Sequence, residues 1–164
     1  MSVAFTREDS AATASEVELP DRPVSPHPNL VTARGLALLE AALAEARAAH
    51  DRAQAIEDVN ERRREAAMAL RDLVYFAERA KTAQLTVPRS VGEAGFGIRV
   101  TFERGDGRRQ AFTIVGEDEA DPRQGSISYV SPMARALAGK RVGDVAEVAG
   151  QDIEILAIEL PGDA

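Results

Sequence analysis

Residues 56–61 read Ile56-Glu57-Asp58-Val59-Asn60-Glu61 and lie in the middle of a stretch, Leu36 to Val87, that contains no Pro or Gly. Apolar residues on both sides follow helical spacing. Upstream, Leu36, Leu39, Leu43 and Ala46 step by three and four behind Thr32, a residue suited to capping a helix. Downstream, Ala66, Leu70, Leu73, Ala77 and Ala80 form a second periodic run. The Ala, Leu, Arg and Glu content favours helix throughout. The break must therefore come from Asp58 and Asn60, whose short polar side chains compete with helix by bonding to nearby backbone. Two helices of about 22 to 24 residues, joined there, make an antiparallel coiled-coil hairpin roughly 35 Å long. Residues 32–85 hold nine basic and nine acidic side chains, as solvated outer faces require. His50 falls on the seam of the first helix with no second ligand at helical spacing, so a packed histidine is expected rather than a metal ligand.

From residue 89 onward the period changes. Ile98-Arg99-Val100-Thr101-Phe102 alternates, Gly105-Asp106-Gly107 follows, and Ala111–Val115 alternates again, which predicts a β-hairpin. Further strands are expected at Ser126–Val130, Asp144–Val148 and Ile153–Ile158. Ser131-Pro132 starts a short helix, with Ser as cap and Pro at the first helical position, and Gly139 ends it. The expected fold class is α+β: a helical hairpin followed by a small antiparallel sheet with one short helix. Residues 1–30 precede both parts with two basic and five acidic residues and with Pro20, Pro23, Pro26 and Pro28. Few apolar side chains are present there to offset the entropy of ordering, so a disordered acidic arm ending in an extended Pro-rich connector is expected. A docking role for the Pro-rich stretch is the alternative. The resulting division is 1–30, 31–88 and 89–164.

Composition excludes several functions. The chain has 164 residues, no cysteine and two histidines, which removes disulfides, thiolate sites, a cysteine nucleophile and a His-based zinc cluster. Aromatic residues make up 4% and Trp is absent, a poor stock for stacking bases. A net charge of −7 argues against simple binding to nucleic-acid phosphates. No apolar run is long enough to span a membrane and the N-terminus lacks a signal-peptide pattern, so a cytoplasmic location is expected.

No phosphate loop, dinucleotide fingerprint or nucleophile elbow occurs. Two acidic clusters remain. Glu57, Asp58 and Glu61 sit at the hairpin turn, where Asp58 and Glu61 can both point outward. Paired carboxylates in water suit a Mg²⁺ ion held partly by something else, and they equally suit helix breaking and capping. Glu117-Asp118-Glu119-Ala120-Asp121 follows a strand without the spacing of a calcium loop. Solvation or a basic partner is expected for it.

The segment Ile114-Val115-Gly116-Glu117-Asp118-Glu119-Ala120-Asp121, with Ile127-Ser128, Ser131-Pro132, Ala134-Arg135, Leu137, Gly139-Lys140 and Asp144-Val145, closely resembles the C-terminal domain of the Gre transcript-cleavage factors, GreA and GreB. The resemblance extends more weakly over Val31-Thr32…Gly35 and Ala83-Gln84-Leu85. It implies a factor, not an enzyme in its own right, that binds the core of bacterial RNA polymerase as a monomer and meets nascent RNA only indirectly. It further implies an FKBP-like globular domain on the rim of the secondary channel and a coiled coil entering that channel. In the family an acidic D-x-x-E tip helps hold a catalytic Mg²⁺ that hydrolyses backtracked RNA. By position, Asp58 and Glu61 match the metal-directing pair. Ser131 and Pro132 match the polymerase-contacting loop, with Asp121 and Arg135 beside it.

This chain departs from the pattern in two respects. Arg62-Arg63-Arg64 follows the tip motif, and each arm is about one heptad shorter than usual, roughly 10 Å of reach. Two readings of the docked factor follow, one promoting cleavage of backtracked RNA and one occupying the channel without cleavage. A peptidyl-prolyl isomerase is disfavoured by the scarcity of aromatics. A free coiled-coil dimeriser is disfavoured by the short, Ala-rich seam.

Overall fold

The computed structural model of the protein describes residues 19–162. Helix α1 (Ala33–Gln54) starts at Thr32, whose Oγ1 accepts a hydrogen bond from the Gly35 amide at 2.9 Å. Its buried residues Leu39, Ala46 and Ala53 recur at heptad spacing, each preceded three residues earlier by a half-buried one, Leu36, Leu43 and His50. His50 thus occupies the seam, beside Gln54. Helix α2 (Val59–Thr82) starts at Asp58 and packs antiparallel against α1. The turn falls at 55–58, so Asp58 ends it as expected, but Asn60, expected to help break the helix, lies inside the first turn of α2.

The second seam needs one correction. Ala66, Ala69, Leu73, Phe76 and Ala80 are half-buried, whereas Leu70 is 47% exposed. Steps of three and of four from Ala66 are both helical, and packing against α1 selected the step of three. With only two helices, no third layer covers the outer faces, so Leu38, Met68, Leu70 and Val74 remain exposed.

The hairpin ends are tied by a short parallel pair, β1 (Leu30–Val31) with β2 (Gln84–Leu85). The globular part is a five-stranded sheet of β3 (Arg99–Arg104), β4 (Arg109–Val115), β5 (Ser126–Ser128), β6 (Val145–Val148) and β7 (Gln151–Glu159), ordered β5-β4-β3-β7-β6. The β3–β4 hairpin turns at Gly107, whose φ of +80° only glycine adopts without strain. The expected all-antiparallel sheet is corrected at one edge. Strand β5 pairs parallel to β4, because the acidic run and a 3₁₀ turn at Pro122–Gln124 carry the chain back before it re-enters the sheet.

Strand β7 contains a bulge that the sequence pattern hides. Phe102 pairs with Ile155 and Thr101 with Ala157, so Leu156 is left over. One extra residue shifts the inward-facing set, and Ile158 joins Ile153 and Ile155 against the same core. Val100, Phe102, Ile114, Ile127, Ala134 and Leu137 complete that core. Helix α3 (Pro132–Leu137) closes one end and stops before Gly139, which has φ +74°.

Residues 1–18 of the expected arm lie outside the described residues. Residues 19–29 carry no helix or strand, bend at residues 26 and 27, and are held against α2 rather than standing clear of it.

Candidate functional site

The segment Glu117–Glu119 of the acidic run is the joint between hairpin and globular domain. Arg79 of α2 is 2% exposed, and its Nε donates to Asp118 Oδ2 at 2.5 Å. The Tyr75 hydroxyl donates to the other carboxylate oxygen, Asp118 Oδ1, at 2.6 Å. Glu117 Oε2 lies 3.9 Å from Arg79 Nη2 and makes no hydrogen bond, so it contributes charge alone. Thr32 Oγ1 donates to Glu119 Oε2 at 2.6 Å, which places a carboxylate at the positive end of α1. The basic group expected to meet this acidic loop is therefore inside the chain. Sequence reasoning missed Arg79 and Tyr75 as joint residues. The available signal was an arginine among Phe76, Ala77 and Ala80, on the inner face of a helix.

Glycines bring the two parts close together. A Cβ at Gly35 would sit 2.6 Å from Glu119 Oε2, and a Cβ at Gly116 would collide with the Leu30 carbonyl oxygen. Burial, then the hydrogen bond to Asp118, pushes the Tyr75 hydroxyl from 10.0 to about 12. Tyr129 also titrates above its ordinary value, first through burial and then through the nearby Glu117 charge. Its hydroxyl donates to the Pro28 carbonyl at 2.5 Å.

The hairpin tip is exposed. Asp58 Oδ1 accepts the Glu61 amide at 2.7 Å, so this carboxylate caps α2, and Glu61 follows in the first turn. Arg62 folds back, donating from Nη1 to the Ile56 carbonyl at 2.9 Å. Arg63, Arg64, Glu57 and Glu61 all face solvent. Among the described residues, no group of three or more His, Cys, Asp or Glu side chains is placed to hold a metal ion. Asp58 and Glu61 offer two hard oxygen donors, and a Mg²⁺ sphere needs about six. They can complete a site whose other ligands come from elsewhere, and they cannot make one.

The remaining candidate residues flank β5. Asp121 precedes it, accepting the Arg123 amide at 3.0 Å and capping the 3₁₀ turn. Ser131 follows it, accepting the Ala134 amide at 3.2 Å and capping α3. Pro132 and Arg135 are exposed on α3. The fold thus gathers Asp121, Ser131, Pro132 and Arg135 on one globular domain and sets Asp58 and Glu61 at the far end of the hairpin. No helix among the described residues is long and apolar enough to cross a membrane.

Residues 89–160 match the family described as transcription elongation factor, GreA/GreB, C-term. Transcription elongation factor GreA of Methylobacterium nodulans is 37% identical over 134 residues, covering 74% of this chain and 80% of that protein. GreA of Hyphomonas neptunium is 58% identical over 55 residues, 33% of this chain, and the match spans only 35% of that relative's length. The solved structure of GreA factor homolog 1 (Gfh1) from Thermus thermophilus aligns with 81% of this chain and 99% of its own, at 23% identity and a TM-score of 0.39. The long match to the Methylobacterium factor runs well beyond the globular domain, and on that ground the chain belongs to the GreA/GreB family of transcription elongation factors.

Proposed function

We propose that this elongation factor binds the RNA polymerase core, seats its globular domain on the rim of the secondary channel, and acts mainly by occupying the channel with its hairpin. The observation that carries this reading is the tip. Asp58 spends one carboxylate oxygen on the α2 cap, and Arg62-Arg63-Arg64 follow Glu61 in the sequence. Helix α1 has 22 residues, a reach of about 33 Å at 1.5 Å per residue. A carboxylate displaced by several ångströms cannot serve a metal whose oxygen ligands sit near about 2.1 Å.

The second reading, stimulated cleavage of backtracked RNA, is favoured by the exposure of Asp58 and Glu61. In that case the pair would help hold a Mg²⁺ bound chiefly by the polymerase, which would supply an activated water for hydrolysis. The factor itself would only position that ion.

Core polymerase pull-down followed by a transcript-cleavage assay on stalled complexes separates the two. Channel occupancy predicts binding with little cleavage, equal in the parent and in Asp58→Asn and Glu61→Gln. Robust Mg²⁺-dependent cleavage, lost in both variants while binding persists, would establish the second reading instead.

A further inference from the structure

Residues 19–31 touch both parts of the molecule. Arg22 lies over the Tyr75 ring, 3.8 Å from its centroid, and 4.9 Å from that of Phe76. Its Nη1 also donates to Asp72 Oδ1 at 2.8 Å. Farther along, the Pro28 carbonyl accepts from Tyr129 of the globular domain. Asn29, 4% exposed, donates from Nδ2 to the Arg79 carbonyl at 2.7 Å and to Thr82 Oγ1 at 3.2 Å. The amides of Gln84 and Thr86 then donate to the carbonyls of Asn29 and Val31 at 2.8 and 2.9 Å.

The geometry points to a brace: residues 19–31 fix the angle between the hairpin and the globular domain, and Arg22 is the positioning residue that clamps it. Tyr75 is the shared element, because its ring carries Arg22 and its hydroxyl holds Asp118. Prolines 20, 23, 26 and 28 suit the task, since a segment with restricted φ transmits position with little entropy left to lose. Gly116, pressed against the Leu30 carbonyl, keeps the brace in direct contact with the sheet. Releasing Arg22 frees the outer end of the brace, leaving the hairpin and the sheet each with its own packing. The consequence is a wider range of tip positions relative to the docking domain.

The absence of cysteine allows a clean test. Gln54 at the tip and Glu147 on β6 are exposed, and a spin label on a cysteine placed at each reports the interdomain distance. The full chain is compared with Arg22→Ala, with Arg22→Lys and with a deletion of residues 1–24 that spares Asn29. Arg22→Ala and the deletion should broaden the distance distribution. Exchange of the Gln84 and Thr86 amides should accelerate about tenfold, the size of a cation–π contact together with a surface ion pair. Arg22→Lys keeps the charge beside Asp72 without the planar stacking, and should fall between them and the parent. Helical content should stay constant across the series. An unchanged distribution with native amide exchange in Arg22→Ala overturns the proposal, whatever the deletion does.

Discussion

Arg79 Nε meets Asp118 Oδ2 at 2.5 Å, and this pair, with the arginine side chain 2% exposed, is a buried ion pair between the two halves of the molecule. Without Asp118 the buried guanidinium keeps only Glu117, 3.9 Å away and not hydrogen-bonded, against its charge. Asp118→Ala or Arg79→Met should therefore destabilise the protein by about 3–5 kcal/mol. The double variant Arg79→Met/Asp118→Leu should recover only part of that loss, because the bonded pair is removed together while Glu117 loses the Arg79 charge and the Tyr75 hydroxyl loses its acceptor. Urea unfolding of all three checks the order.

The tip carboxylate can be separated from its capping role. Asn caps a helix as well as Asp does, so Asp58→Asn should leave stability within a few tenths of a kcal/mol, while Asp58→Ala should cost about 1 kcal/mol. Thermal unfolding reads this directly. A large loss in Asp58→Asn would show that the charge, not the cap, holds the turn.

Two glycines differ in what a methyl group would strike. At Gly35 it meets the end of the Glu119 side chain, which can swing away from Thr32. At Gly116 it meets the backbone carbonyl of Leu30, which cannot move without shifting β1. Gly116→Ala should thus lose about 1–3 kcal/mol, as overpacking does, and Gly35→Ala should lose less.

High pH tests Tyr75. Its hydroxyl titrates at about 12 in the folded protein against 10.0 for an unperturbed group, so the folded state favours the neutral form. That contribution is complete below pH 10 and disappears as pH rises through about 12, because burial disfavours the phenolate, which also cannot donate to Asp118 and repels it. Tyr75→Phe should be less stable than the parent at neutral pH and should lose less stability across that window. Stability measured by urea unfolding at stepped alkaline pH provides the comparison.

Ser131 and Pro132 test the proposed docking face. Ser131→Ala/Pro132→Ala should cost about 1 kcal/mol through loss of the α3 cap, remain folded, and bind core polymerase more weakly. Unchanged affinity in the folded variant would count against that surface.

The local elements could be read from the chain because their causes are local. Steps of three and four from Leu36 to Ala46 predict one helix, Asp58 caps the next, and Ser131-Pro132 starts α3. In each case the deciding interaction spans only a few residues. The motif from Ile114 to Val145 also carried the family, and the placement of Asp58 and Glu61 at the tip followed from the hairpin. Tertiary contact decided the rest. Ala69 rather than Leu70 lies on the α2 seam because two helical spacings fit equally until a partner helix chooses. Strand β5 runs parallel to β4 because the joint occupies the connection between them. The acidic run faces inward because Arg79, thirty-nine residues away from Asp118, is buried on the opposite wall. A carboxylate's sequence neighbours do not reveal which cation the fold brings to it, since Coulomb attraction depends on distance in space and on burial.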